Sequence, residues 1–155
     1  MSILFTERKK HSPMKTIVFY DNLCSVCNYW VSWILKNDKR QVFYFVALES
    51  DFAKAFSRHF NYQFPTETIV IWDEYVGFLQ KSDAVIFILK SIQPSSFQFK
   101  ALKFLPKLLR DAGYSTFAYF RRFIPMRKCE IPSSEDKKKF LTDVPFQVFL
   151  NNQKK

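Results

Sequence analysis

Short apolar runs mark three strands in the first half of the chain. They lie at residues 15–20, 41–48 and 68–72, and each is apolar on both alternating faces, which is typical of strands covered on both sides of a sheet. Residues 75–80 follow the third run after an Asp-Glu pair and predict a fourth strand in a hairpin with it. We therefore expect a mixed four-stranded sheet in which 15–20 and 41–48 are parallel neighbours.

Helical periodicity fills the segments between these strands. After the first strand, apolar residues recur at i, i+3, i+4, i+7 and i+8 from Cys27, which is one face of a helix. Ser50 and Ser82 are placed to cap two further helices, one before the third strand and one after the fourth. The order β-α-β-α-β-β-α predicts an α/β fold with helices on both faces of the sheet.

The last third of the chain has no strand pattern and is predicted to add helices to this fold. We expect helices at about 97–112, ending at Gly113, then at 114–123, and a short one from about Ser133 or Ser134. The aromatic residues of these helices recur at helical spacing without an RNA-binding signature. This predicts that they form packed core between helices and not a base-stacking platform.

Length and composition fit one globular domain. The chain has 155 residues, of which 48% are hydrophobic, and only two glycines, so disordered and fibrous chains are excluded. No apolar run has the length of a membrane span, and the N-terminus lacks the pattern of a signal peptide, so a cytoplasmic location is expected. We predict a flexible leader at 1–14, a single domain at 15–142 and a tail at 143–155.

The charge is strongly basic, with a formal net charge of +10. Eleven of the 24 Lys and Arg residues lie between residues 100 and 139, against four acidic residues there. Such a surface suits nucleic acid or an anionic membrane. Because no nucleic-acid motif accompanies the charge, a solvated basic face is the simpler interpretation and no specific nucleic-acid partner is expected. A non-catalytic module that holds an anionic partner through this basic tail stays open as an alternative function.

Two cysteines lie where the first strand meets the first helix. Cys24 precedes the helix and Cys27 lies on its apolar stripe, so Cys24 is expected to be the more exposed of the two. The unpaired N–H groups at a helix start stabilise a thiolate. An exposed thiolate attacks a substrate disulfide, and a buried partner then resolves the mixed disulfide. A CxxC pair in this βα context predicts a thioredoxin-like oxidoreductase that acts on protein or small-molecule disulfides and thiols without a cofactor.

Zinc binding and simple packing are the alternatives to redox chemistry. Zinc usually takes four ligands from two such pairs, and here a second pair is missing. Cys129 with His59 or His11 does not have the spacing of a ligand set, so no metal is expected. Packed cysteines without chemistry remain the other possibility. Cys129 itself follows two cationic residues, which suits either an auxiliary thiol or an unremarkable tail cysteine.

The sequence also resembles a known family. It resembles the DCC-type thiol-disulfide oxidoreductases, which are thioredoxin-like, in three stretches: YDNLCSVC at 20–27, TIVIWDEYVGFLQKSDAVIFIL at 68–89, and RRFIPMRKCEIPSSEDKKKFL at 121–141. The resemblance covers about residues 15–142 and implies the same fold and reaction class. It departs at Asn22, where the family usually has a glycine. We expect Asn22 to replace that glycine in a turn that needs a positive φ.

The resemblance adds candidate site residues beside the cysteines. Asp21 precedes the pair and is expected to shape the turn, and to take or relay the proton of Cys27. Thioredoxin-like proteins usually carry a cis-proline before the third strand, where it receives the substrate. Pro65 is the candidate, although it lies three residues ahead of Thr68 and an ordinary trans proline is the simpler interpretation. If Pro65 is misplaced, the backbone at Thr68 faces the pair instead. The sequence departs from the family again at 118–123, where AYFRRF stands in place of the usual Asn-Arg-Tyr-like cluster, so only Arg121 or Arg122 carries over and Arg121 is a third substrate-binding candidate.

Overall fold

The computed structural model describes residues 16–65, 68–124 and 133–153 and confirms the α/β fold. One mixed sheet has the strand order β2-β1-β3-β4, where the strands are β1 (Thr16–Tyr20), β2 (Phe43–Ala47), β3 (Val70–Asp73) and β4 (Gly77–Gln80). β1 and β2 are parallel, as predicted, and β3 and β4 form the predicted antiparallel hairpin. β1 and β3 are antiparallel, which makes the sheet mixed.

Helices connect and follow these strands. The α-helices are α1 (Ser25–Asn37), α2 (Asp51–Phe60), α3 (Lys81–Ile92), α4 (Phe97–Phe104), α5 (Lys107–Phe120) and α6 (Phe146–Gln153). Two 3₁₀ turns lie at Arg121–Phe123 and Asp136–Lys139, the second of them in the region where a short helix was expected. Among the described helices, none is long and apolar enough to cross a membrane.

The sheet separates two hydrophobic cores, and the alternation of β1 supplies both. Val18 and Tyr20 face a core that includes apolar residues of α1 and α3. Ile17 and Phe19 face the other, which includes residues of α2 and α6. Because successive side chains of a strand point to opposite faces, a strand covered on both sides must be apolar throughout. The prediction of helices on both faces is confirmed.

The two predicted serine caps have different outcomes. Ser50 caps α2 as expected, since its Oγ accepts a hydrogen bond from the N–H of Ala53 at 3.1 Å. The prediction for Ser82 is wrong. α3 begins at Lys81, after an N-cap at Gln80 that makes no side-chain capping bond. Ser82 is buried in the first turn, and its hydroxyl donates a hydrogen bond to the carboxylate of Asp111 on α5. The Ser82 hydroxyl is therefore engaged in a tertiary contact and does not cap α3.

The predicted helix at 97–112 is also wrong, because the chain breaks at Pro106. Proline has no N–H and disfavours a helical residue before it, and Leu105 is accordingly extended (φ −74°, ψ 137°). α5 then runs through Gly113 without ending there. A glycine inside a helix costs only about 1 kcal/mol relative to alanine, which the rest of α5 tolerates.

α4 and α5 pack on α3 as the expected added layer, but the predicted aromatic core between them is absent from the described part of the chain. Neither helix buries a residue fully, and the large apolar side chains of this layer are mostly exposed. The contact between α5 and α3 includes charged groups: Arg110 lies 3.5 Å from Asp83, and Lys107 pairs with the same carboxylate. The polar side of α5 therefore faces the protein.

The segment at 143–155, set apart as a tail in the sequence, carries α6. Phe149 of α6 is only 3% exposed and packs against Phe52 and Phe56 of α2. The chain before α6 covers the outer edge of β2, because the N–H of Leu141 donates to the carbonyl of Phe45 at 2.9 Å. The predicted leader at 1–14 lies outside the described residues.

Candidate active site

The two cysteines lie at the start of α1 with different burial. Cys24 is the N-cap residue and is half-buried, with an extended backbone (φ −91°, ψ 118°). Cys27 lies one turn later, is 1% exposed, and packs in the same core as Val31 and Ile34. The order of burial is the one expected from the helical periodicity. Cys24 makes no side-chain capping bond, and the first turn of α1 contains no acidic residue.

The loop before the pair is held by its own hydrogen bonds. Asp21 Oδ1 accepts from the N–H of Leu23 at 2.9 Å, and the Asp21 carbonyl accepts from the N–H of Cys24 at 3.2 Å. Asp21 therefore shapes the turn. The expectation for Asn22 is wrong, because the described non-glycine residues with a positive φ are Gln41, Asn61 and Lys81. Asn22 is tied down instead through its carbonyl, which accepts from Asn28 Nδ2 at 2.9 Å.

The sulfur of Cys27 is buried next to a cation. Arg121 Nη1 donates a hydrogen bond to Cys27 Sγ at 3.0 Å, and Arg121 is itself only 7% exposed. Burial raises the pKa of the Cys27 thiol to about 12; Arg121 and the Asp21 N–H oppose this increase in pKa, and Cys24 adds to it.

The Arg121–Cys27 contact was missed in the sequence, which assigned Arg121 to the substrate. The two residues are 94 positions apart, and Arg121 reaches the site because α5 passes into the 3₁₀ turn at its end. Neither periodicity nor spacing relates such distant positions. The resemblance was the signal that singled out Arg121 at all. Cys129 and the side chain of Arg122 lie outside the described residues.

The segment before β3 is fastened to α5 by Tyr114, another residue that the sequence did not single out. The Tyr114 hydroxyl lies 3.0 Å from the Thr68 hydroxyl and accepts from the N–H of Ile69 at 3.1 Å. No peptide bond between described residues is cis, so the Phe64–Pro65 bond is trans. Thr68 is buried and Pro65 half-buried. Their contact with substrate stays a prediction.

A metal-binding cluster is not found in the described ranges, where no three His, Cys, Asp or Glu side chains are grouped to hold an ion. Cys129 and His11, which were considered as ligands, lie outside those ranges. The Cys24–Cys27 pair alone supplies two of the four ligands that a structural zinc usually takes.

Comparison with known proteins identifies the family of the chain. The family model described as DCC1-like thiol-disulfide oxidoreductase matches residues 18–127, which include both cysteines and Arg121. The chain is 26% identical over 129 residues to the uncharacterized protein YuxK of Bacillus subtilis (strain 168), and the alignment covers 81% of this chain and 93% of that protein. No solved structure matches the chain significantly.

Proposed function

The chain belongs to the DCC1-like thiol-disulfide oxidoreductase family, and we propose that it exchanges disulfides through Cys24 and Cys27. The observation that carries the proposal is the pairing of a half-exposed cysteine at a helix start with a buried cysteine whose sulfur accepts a hydrogen bond from Arg121. The substrates are disulfides or thiols of a protein or small molecule. The reaction needs no resident cofactor, because both electrons are carried by sulfur, and it suits a reducing compartment such as the cytoplasm.

Cys24 is the nucleophile in this proposal. Its thiolate attacks one sulfur of the substrate disulfide, the substrate S–S bond breaks, and a mixed disulfide forms on Cys24. The departing substrate sulfur leaves as a thiolate and takes a proton from solvent. The half-exposed position of Cys24 at the start of α1 supports this role, because the partial positive charge of a helix N-terminus stabilises a thiolate.

Cys27 is the resolving thiol. It loses its proton and attacks Cys24 Sγ, the substrate sulfur departs as a thiolate, and the Cys24–Cys27 disulfide remains. An external dithiol returns two electrons to close the cycle, and the same steps run in reverse oxidise a substrate. We propose the Asp21 carboxylate as the group that takes or relays the Cys27 proton, in addition to its role in the turn.

Formation of the mixed disulfide makes this deprotonation easier. In the reduced pair, the charge and hydrogen bond of Cys24 contribute to the raised pKa of Cys27. Both contributions disappear once Cys24 is bonded to substrate, whereas Arg121 and the Asp21 N–H still stabilise the Cys27 thiolate. We therefore propose that Arg121 assists the resolving thiol. Pro65 and the backbone at Thr68 remain the proposed substrate contacts.

Mass spectrometry of two variants tests the roles of the pair. After exposure to an oxidised peptide, Cys27→Ser should carry the peptide on Cys24, because attack still occurs and resolution does not. Cys24→Ser should capture none at position 27. In the oxidised wild-type protein the disulfide should join Cys24 to Cys27 and leave Cys129 as a free thiol.

Two results would overturn the proposal. Capture by Cys24→Ser and not by Cys27→Ser would reverse the two roles. Capture by neither variant, together with stoichiometric zinc binding that needs both cysteines, would replace redox chemistry with a metal site.

A further inference from the structure

The orientation of α5 is opposite to that of an ordinary amphipathic surface helix. Its charged and polar residues face α3: Arg110 and Lys107 pair with Asp83, and Asp111 accepts a hydrogen bond from Ser82. Surface helices usually place their apolar stripe against the protein and their charges in water. Here Arg110, Asp111 and Tyr114 lie on the side of α5 that contacts the rest of the protein, and the large apolar side chains Leu108, Leu109, Phe117 and Phe120 are exposed.

The outward side of this layer is apolar over three consecutive elements. We call it the α4–α5 surface and define it by the exposed side chains of Phe97, Phe104, Leu108, Leu109, Phe117, Tyr119, Phe120 and Phe123. Phe104 is 87% exposed and Leu108 is 82% exposed, so neither contributes to the core. Large exposed apolar side chains that are concentrated in one layer of a protein are the pattern of an interaction site.

The charge at the α4–α5 surface is basic. Of the Lys and Arg side chains that the structure describes in 97–124, Arg110 and Arg121 face inward and three lysines are exposed, and the one acidic residue of the segment, Asp111, faces α3. Lys100 and Lys103 are exposed on α4 between Phe97 and Phe104, and Lys107 is exposed at the start of α5. Exposed phenylalanines and leucines bordered by lysines are typical of helices that lie in a membrane interface.

We propose that the α4–α5 surface binds the headgroup region of an anionic phospholipid bilayer. The apolar side chains would enter the acyl boundary while the lysines contact lipid phosphates. A second copy of the chain is less suited to this surface, because it would bring two basic borders together. Nucleic acid is less suited as well, because phosphate contacts leave Leu108 and Leu109 exposed to water. The inference rests on exposure and charge and is independent of the redox proposal.

Vesicle sedimentation with the full chain tests the proposal. Vesicles of phosphatidylcholine with phosphatidylglycerol are compared with phosphatidylcholine alone, at low salt and at about 150 mM salt. We expect binding to the anionic vesicles that is weakened by salt but persists at the higher concentration, because insertion of apolar side chains is not screened. Binding to neutral vesicles should be much weaker.

Two double variants separate the apolar contribution to vesicle binding from the electrostatic one. Phe104→Ser with Leu108→Ser should weaken vesicle binding by about tenfold or more, since each serine removes the transfer of a large apolar side chain into lipid. Lys100→Glu with Lys103→Glu should weaken binding to anionic vesicles by about tenfold or more. Binding to neutral vesicles should not change. These side chains are exposed, so circular dichroism and thermal unfolding should match the wild type.

Matched controls lie elsewhere on the surface. Tyr75→Ser removes an exposed aromatic residue at the β3–β4 turn, and Lys54→Glu reverses an exposed lysine on α2, across the sheet from α3. Neither should change binding. Failure to bind anionic vesicles at about 150 mM salt would overturn the proposal. So would a dimer that Phe104→Ser with Leu108→Ser converts to a monomer, or salt-resistant binding to DNA that the same variant loses.

Discussion

At the scale of single residues, the pKa of Cys27 reflects two opposing effects. Burial favours the neutral thiol and is the largest influence, while the Arg121 guanidinium at 3.0 Å favours the thiolate. The result is a thiol that is protonated at neutral pH but has a cation ready to stabilise its charge. Such a group is a poor first nucleophile and a suitable resolving thiol.

Removal of the Arg121 charge should raise the pKa of Cys27 further. In a Cys24→Ser background, Arg121→Met should move the pH profile of Cys27 alkylation to higher pH, and Arg121→Lys should restore part of the difference. Each pKa unit lowers the thiolate fraction at neutral pH about tenfold, so resolution of the mixed disulfide should slow correspondingly. Alkylation that is quenched at timed intervals and quantified by mass spectrometry measures the pH profile of Cys27.

The matched control is Arg58→Met on α2, an exposed arginine that should leave the profile unchanged. A profile that Arg121→Met leaves in place, or moves to lower pH, would contradict the role given to Arg121.

The raised pKa of Cys27 also predicts how stability depends on pH. The folded pKa of about 12 exceeds the ordinary value of 9.0, so the unfolded chain releases this proton first. The free energy of unfolding of the reduced protein should therefore be fully retained below about pH 9 and fall as pH rises towards 12, by at most about 1.4 kcal/mol per pH unit. Urea unfolding of the wild type and of Cys27→Ala between pH 8 and 11 measures this pH dependence. Parallel curves for the two proteins would refute this linkage.

At the scale of elements, Tyr114 fastens α5 to the start of β3. Tyr114→Phe removes the acceptor of the Ile69 N–H and one of the two partners of the buried Thr68 hydroxyl. An unsatisfied buried donor costs about 1–3 kcal/mol, and we expect a loss of unfolding free energy in this range. Tyr119→Phe on the same helix removes an exposed hydroxyl and should change the free energy by less than about 0.5 kcal/mol. Equal effects of the two variants in urea unfolding would contradict this role.

At the scale of the whole molecule, α6 completes the core on the α2 side of the sheet. Phe149→Ala should lower the free energy of unfolding by about 3–5 kcal/mol, because it leaves a cavity beside Phe52 and Phe56. The adjacent Val148 is exposed, so Val148→Ala should be close to neutral. Thermal or urea unfolding compares the stabilities of the two variants. A small loss for Phe149→Ala would mean that the domain is complete at residue 142, as the sequence analysis proposed.

Local pattern determined the sheet, the first helices and the position of the cysteines. A strand covered on both faces must be apolar throughout, and a helix buried on one face must repeat every three to four residues, so these elements are recorded in consecutive residues. The burial of Cys27, the cap at Ser50 and the break at Pro106 are also local. The break at Pro106 is recorded in the sequence, but the prediction placed the helix end at Gly113 instead.

Only the tertiary structure decided which side of α5 faces the protein and what lies beside Cys27. Arg110 of α5 pairs with Asp83 of α3, so the polar side of α5 faces α3 and Leu108 is exposed. The same packing delivers Arg121 to a sulfur 94 residues earlier in the chain. Periodicity records how strongly each face is polar, but the choice of partner for a polar face depends on contacts between distant segments. Such contacts form only when the chain has folded.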